Sequence, residues 1–177
     1  GSWYFGLQRL ACGNFILYCA RNRISSTNSN IGASSTLSIN SISRIVGTLN
    51  IGDSDNSHGF IINTTVGSGL TLTFNNSGAG ASLNEVGSVT DTIATNVGVI
   101  LADNLAASVG GRLHINGPIS ETGGAKNLTK SGSGVLQLAN SSNSYTGVTA
   151  ITGTQGGILV TANNTLGTTA GNTTVAA

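Results

Sequence analysis

Charge is what this chain lacks most: only 7% of its 177 residues are Asp, Glu, Lys or Arg, against about a quarter in ordinary soluble domains. Seven basic residues nearly cancel six acidic ones, leaving a formal net charge of +1. Such a balance sets up no long-range field, so a nucleic-acid partner is not expected. There is no Met and a single Pro. The missing Met leads us to expect a processed chain or a fragment. Glu, Lys and Gln are also scarce, which leaves little from which to build long helices. Long hydrophobic runs are absent too. The most apolar stretch, residues 10–20 ("LACGNFILYCA"), carries Asn14 and falls short of the roughly 20 residues a membrane-spanning helix needs. No membrane span is expected in this chain.

What the chain has is Gly, 26 copies of it, with abundant Ser, Thr and Asn and with Ile, Leu and Val recurring throughout. The aliphatic residues argue against a disordered polar tract. Thr, Val and Ile suit pleated sheet, and Gly, Asn and Ser suit tight turns, so the expectation is an all-β chain of many short strands.

One unit recurs: an apolar residue, any residue, an apolar residue, then a small residue or Asn. It appears as "LSIN" at Leu37, "LNIG" at Leu49, "FIIN" at Phe60, "LTFN" at Leu72, "LHIN" at Leu113, "LQLAN" at Leu136 and "ILVTAN" at Ile158. The early copies start 12, 11 and 12 residues apart and the late ones 23 and 22 apart. The larger spacing is twice the smaller, as in a β-solenoid whose coil of roughly 20–25 residues holds two or three strands. On that reading Leu113 and Ile115 face the core, and His114 and Asn116 face outward or enter a corner. Asn63, Asn75, Asn116 and Asn140 follow apolar pairs and are expected at corners, where Gly and Asn adopt left-handed backbone most readily. Gly87 and Gly98 are expected bends. Coils of about 23 residues predict roughly seven to eight turns. A β-sandwich also uses short strands and frequent turns, but regular copies of one apolar pair favour the solenoid. The only proposed boundary separates an N-terminal apolar and aromatic segment, residues 1–30, from the solenoid at 31–177.

The stretch Gly123–Thr149, "GGAKNLTKSGSGVLQLANSSNSYTGVT", followed by "GGILVTANNTLG", resembles the passenger-associated transport repeat (autotransporter-associated β-strand repeat) of bacterial autotransporters. The matching positions, within 123–168, are Leu128, Thr129, Lys130, Gly132, Gly134, Leu136, Leu138, Asn143, Tyr145, Thr146, Gly147, Thr149, Gly157 and Leu159. The resemblance implies a single right-handed parallel β-helix, secreted or displayed on a bacterial cell surface, with the repeat assisting passenger secretion and folding. Two departures stand out. "TGTQGGILV" is longer than the family's approach to its Gly-x-Leu strand, so a bulge or loop is expected near Thr154 and Gln155. Membrane-barrel strands ending in an aromatic are not found in these residues.

Candidate chemistry is sparse. The six acids, Asp53, Asp55, Glu85, Asp91, Asp103 and Glu121, form no periodic set, so a carbohydrate-active site of paired carboxylates is disfavoured and no cofactor is expected. In "GDSDNSHG" Asp53, Asp55 and Ser57 imitate the start of a calcium loop, but His58 stands where Gly is needed and Thr64 where Glu is needed. A polar loop is the plainer reading. Cys12 and Cys19 leave a disulfide and two buried thiols equally open. Trp3, Tyr4, Phe5, Phe15 and Tyr18 make the first segment either a lid on the solenoid or a docking element. Val160 and Val175 lie in an uncharged C-terminal coil that invites end-to-end assembly. The sequence therefore reads as a non-enzymatic extracellular or cell-surface scaffold, structural or adhesive, meeting a host, matrix or cell-surface ligand. The alternative is a self-associating filament subunit.

Overall fold

In a computed structural model, residues 8–12, 15–20, 23–25, 33–39, 42–53, 55–65, 67, 69–153 and 155–176 are described, with 8–12, 15–20, 23–25 and 35 described by their backbone. Trp3, Tyr4, Phe5 and Thr154 lie outside them.

All regular structure among these residues is β, wound as a three-faced solenoid. The first coil runs through β4 (Ser35–Ser38), β5 (Arg44–Val46) and β6 (Thr48–Ile51), and the second through β7 (Phe60–Asn63), β8 (Leu70–Phe74) and β9 (Ala81–Glu85). The third comprises β10 (Thr90–Ile93), β11 (Val97–Leu101) and β12 (Leu105–Val109), and the fourth β13 (Arg112–Ile115), β14 (Ile119–Glu121) and β15 (Leu128–Ser131). The fifth keeps β16 (Val135–Leu138) and β17 (Thr149–Ile151), and the sixth β18 (Gly157–Val160) and β19 (Thr173–Val175). Strands β4, β7, β10, β13, β16 and β18 stack as face 1, β5, β8, β11 and β14 as face 2, and β6, β9, β12, β15, β17 and β19 as face 3. Every coil-to-coil pairing is parallel, for example Ile93 beside Ile115 and Ile115 beside Leu138.

Six turns are fewer than the seven to eight expected from the repeat length. Successive face 1 strands start 25, 30, 22, 23 and 22 residues apart, because the early corners carry long connections. The described residues of the N-terminal segment also wind no coil. Its strands β1 (Gln8–Cys12) and β2 (Phe15–Ala20) form an antiparallel hairpin, and β3 (Arg23–Ser25) links that hairpin to β6 by parallel pairing. The hairpin thus extends face 3 at its N-terminal edge. Phe15 and Tyr18 lie on β2. In this register Cys12 stands opposite Phe15 and Cys19 opposite Gln8. Four strand steps, about 13 Å, then separate the cysteines, so a mutual disulfide would need another register.

Alternation along each strand decides what is inside. Face 1 buries Ile62, Ile93, Ile115 and Leu138 in one column, face 2 buries Val46, Phe74 and Leu101, and face 3 buries Leu49, Leu83 and Ala107. As expected, Leu113 and Ile115 are core, while His114 lies on the outer side, half-buried. Its imidazole is held below its usual pKa by burial and then by the Arg112 charge.

Polar side chains tie coils together. Asn84 Nδ2 donates to Asn50 Oδ1 at 2.8 Å on face 3, and Asn140 Nδ2 donates to the Asn116 carbonyl at 3.0 Å. The corner asparagines act through their side chains rather than through left-handed backbone. Asn63, Asn75 and Asn140 accept N–H bonds from Thr64, Ser77 and Ser142, whereas the non-glycine residues with positive φ among the described residues are Asn56, Ser77 and Asn164. Gly87 bends the chain at φ +116, but Gly98 sits within β11, where an added Cβ would press Thr71 Cγ2 at 3.3 Å. Between faces 2 and 3, Asn104 accepts the Asn127 N–H at 2.9 Å, and Asn127 accepts the Val148 N–H at 2.8 Å. Asn127→Ala removes one rung of this ladder. It is expected to lower stability by about 1 kcal/mol in a denaturant titration.

Candidate functional site

Repeat-motif residues assemble into structure. Leu128, Lys130, Leu136, Leu138, Asn143 and Tyr145 are buried. A Cβ on Gly134 would lie 2.1 Å from the Gly111 carbonyl, and one on Gly147 would lie 2.1 Å from that of Lys126, so both glycines permit coil-on-coil contact. Gly157 opens β18, and Leu159 lies on the outer side of face 1, opposite Gln137. Gln155 belongs to the connection 152–156, the position expected to loop out.

The charged groups converge differently from the sequence expectation. Asp53, Asp55 and Ser57 share one loop, 52–59, but bind each other and their own backbone. Ser57 Oγ donates to Asp53 Oδ2 at 3.0 Å, the His58 N–H donates to the same oxygen at 3.1 Å, and the Ser57 N–H donates to Asp55 Oδ1 at 3.1 Å. No group of three His, Cys, Asp or Glu suited to a metal ion occurs among the described residues.

A different group forms at the corner between faces 3 and 1. Glu85 is the last residue of β9 and pairs with Ile51 below and Val109 above, both core residues. Asp91, in β10, pairs with core Leu113 above, and its side chain reaches the backbone of core Phe60 below. Two acids that flank one corner, at the end of the second coil and the start of the third, are therefore sandwiched between the apolar pairs of the corners below and above. Asp53, Glu85 and Asp91 are 3%, 2% and 1% exposed. Each has one oxygen engaged: Asp91 Oδ1 accepts the Phe60 N–H at 2.7 Å and Glu85 Oε2 accepts the Gly111 N–H at 2.8 Å. The other oxygens, Asp53 Oδ1, Glu85 Oε1 and Asp91 Oδ2, are buried without a hydrogen-bond partner.

Burial pushes the Asp91 carboxyl up to about 7, against the pull of the Phe60 N–H, and the charges of Glu85 and Asp53 add to the rise. Burial also raises Glu85, restrained by the N–H groups of Gly111 and Gly110. Burial alone would raise Asp53 as well, but the Ser57 hydroxyl, Asp55 and the His58 N–H bring it below its ordinary value. This corner is able to hold a proton near neutrality. It gives a saccharide chain no access to the carboxyls.

The sequence signal for this pair was present in the alternation. Glu85 shares parity with Leu83, and Asp91 with Ile93, so both acids stand at inward positions. Asp103 and Glu121 cap the corner between faces 2 and 3. Asp103 Oδ2 accepts the N–H groups of Asn76 at 2.5 Å and Gly78 at 3.1 Å. Glu121 accepts the Lys126 N–H at 2.7 Å and the Thr146 hydroxyl. Burial opposes ionisation of Glu121, yet these bonds, led by that of Thr146, hold its carboxyl below the usual range.

No protein-family model matches this chain, and neither curated proteins nor solved structures yield a match. No helix among the described residues is long and apolar enough to cross a membrane.

Proposed function

We propose that the chain is a non-enzymatic β-solenoid scaffold, a segment of an autotransporter-type passenger presented at or released from a bacterial cell surface, structural or adhesive in role. The observation that carries this reading is the use made of the acids. All six carboxylates accept backbone N–H bonds at or next to corners: Asp53 from His58, Asp55 from Ser57, Glu85 from Gly111, Asp91 from Phe60, Asp103 from Asn76 and Gly78, and Glu121 from Lys126. Acids committed to holding turns, with Asp53, Glu85 and Asp91 also buried out of a substrate's reach, are poorly placed to attack or protonate a substrate. The Gly123–Thr149 motif supports the passenger identity, because its residues serve coil stacking. Beads coated with the purified chain are expected to adhere to cultured cells or extracellular matrix above a denatured-chain control. Indifference to every surface, or cleavage of any polysaccharide in a panel, would overturn the reading.

A second reading, a self-assembling subunit, is favoured by the last turn. Val160 continues the Ile115–Leu138 column and Val175 the Lys130–Ile151 column, yet they are 47% and 68% exposed, with no strand stacked beyond them among the described residues. A further coil would cover both, whether from a continuing chain or from a second copy. Electron microscopy over a concentration series is expected to show filaments that Val160→Lys with Val175→Lys abolishes while the circular dichroism stays unchanged. Separate rods at every concentration would reject this reading.

A further inference from the structure

We propose that the corner built from Glu85 and Asp91 is a proton-operated latch, packed shut while a proton is held there and loosened at the connections 52–59 and 86–89 once both carboxyls ionise.

The geometry begins with position. In the coils on either side the equivalent inward residues are apolar: Ile51 and Phe60 below, Val109 and Leu113 above. An ionised pair here has lost its water and gained apolar neighbours, so two negative charges are strongly disfavoured and one proton is retained. Glu85 Oε1 and Asp91 Oδ2, each buried without a partner, are the atoms free to carry it. The engaged oxygens matter as much. Asp91 fastens the Phe60 N–H at the end of connection 52–59, Glu85 fastens the Gly111 N–H one coil on, and connection 86–89 joins the two acids, so strain between the carboxyls is passed to 52–59 through Asp91 and to 86–89 through the chain itself. These connections also lie backbone on backbone: a Cβ on Gly52 would meet the Val86 carbonyl at 1.8 Å, and one on Gly87 would meet that of Asp53 at 3.1 Å.

Among the described residues, the elements packed against the pair bring no cation to it. Connection 52–59 contributes Asp53, Asp55 and His58, and β9 contributes Glu85 itself. β13 contributes Arg112 and His114 on its outward-facing positions, and β7 contributes no ionisable side chain. Lys130, on β15 in the coil beyond, gives its ammonium to the Gly132 carbonyl at 2.5 Å.

The sign follows from linkage. Asp91 releases its proton near pH 7 when folded and near pH 3.9 when unfolded. Between those values the folded state binds more protons, so stability falls as pH rises through the window and is level above it. Glu85, also raised, acts in the same direction.

The test is hydrogen–deuterium exchange with mass spectrometry at pH 5.5 and 8.5, corrected for intrinsic rates, on the full chain and on Asp91→Asn, Glu85→Gln and the double variant. Asn at 91 keeps the acceptor for Phe60, and Gln at 85 keeps the one for Gly111. In the unsubstituted chain, protection of 52–59 and 86–89 is expected to drop about tenfold or more from pH 5.5 to 8.5, a local opening. Asp91→Asn reduces that difference to about twofold or less. Should Asp91→Asn fail to fold, Glu85→Gln carries the same test from the other strand. The latch is overturned by pH-independent protection in the unsubstituted chain or by an undiminished difference in the variants. It is equally overturned by saturable protection with calcium chloride at pH 8.5, which would make the corner a cation site.

Discussion

Tyr145→Ala is expected to be among the most destabilising single substitutions in this chain, costing about 3–5 kcal/mol, as for other large aromatic truncations in a core. The fifth coil has no strand on face 2, and Tyr145, fully buried, fills the interior there. Its hydroxyl bonds Thr149 Oγ1 at 2.7 Å, and burial raises the phenol above its ordinary pKa. Asn143 replaces the missing ladder: its Oδ1 accepts the Ile119 N–H at 2.8 Å in the coil before, and its Nδ2 donates to the Thr165 carbonyl at 2.7 Å in the coil after. Alanine at 145 leaves a cavity that Gly167, packed against the ring, is too small to fill. Tyr145→Phe keeps the volume and costs only about 1 kcal/mol. At roughly 2–4 °C per kcal/mol for a chain of this size, calorimetry separates the two variants by several degrees. Equal melting temperatures would mean that the hydroxyl, not the ring, holds this coil.

The same segment shows how far the sequence could be read. The apolar pairs at Leu49, Phe60, Leu72, Leu113, Leu136 and Ile158 each fall in a strand, and Leu37 does too with its partner Ile39 one residue beyond β4, because an exposed–buried alternation is a local property. Which face each strand joins was not legible. Leu49 lies on face 3 and Leu72 on face 2, whereas the other five lie on face 1. The number of turns failed for a related reason: corner length depends on caps such as Asp53 and Asp103, whose N–H partners are fixed only after folding. The acidic corner was hidden because Glu85 and Asp91 are divided by the connection 86–89. A count of acids therefore sees two isolated residues, whereas parity across the turn would have placed both inside. Lys130 is a further case. It occupies an inward position between Ala107 and Ile151 and is fully buried, which lowers its ammonium pKa. From sequence it appeared only as part of a matched motif.

Gly132→Ala is the second large expected effect, at roughly 3 kcal/mol, because two penalties coincide. Gly132 has φ +81, where a Cβ is strained, at a cost of about 1–2 kcal/mol. That Cβ would also lie 2.4 Å from the Val109 carbonyl oxygen and 3.0 Å from the Val109 backbone N. These are backbone atoms of the preceding coil, and they cannot rotate aside as a flexible side chain would. Moving the turn instead disturbs the Gly132 carbonyl that accepts the Lys130 ammonium, leaving a buried cation poorly bonded, which is costly in its own right. The damage should therefore be local to two coils. Hydrogen exchange is expected to rise at 109–111 and 130–134, with the hairpin of β1 and β2 unaffected. Ser133→Ala, between the two motif glycines and exposed, is the control and should change stability by about 0.5 kcal/mol or less. Equal effects of the two substitutions would show that this corner yields, and that the Gly-x-Gly spacing serves something other than coil stacking.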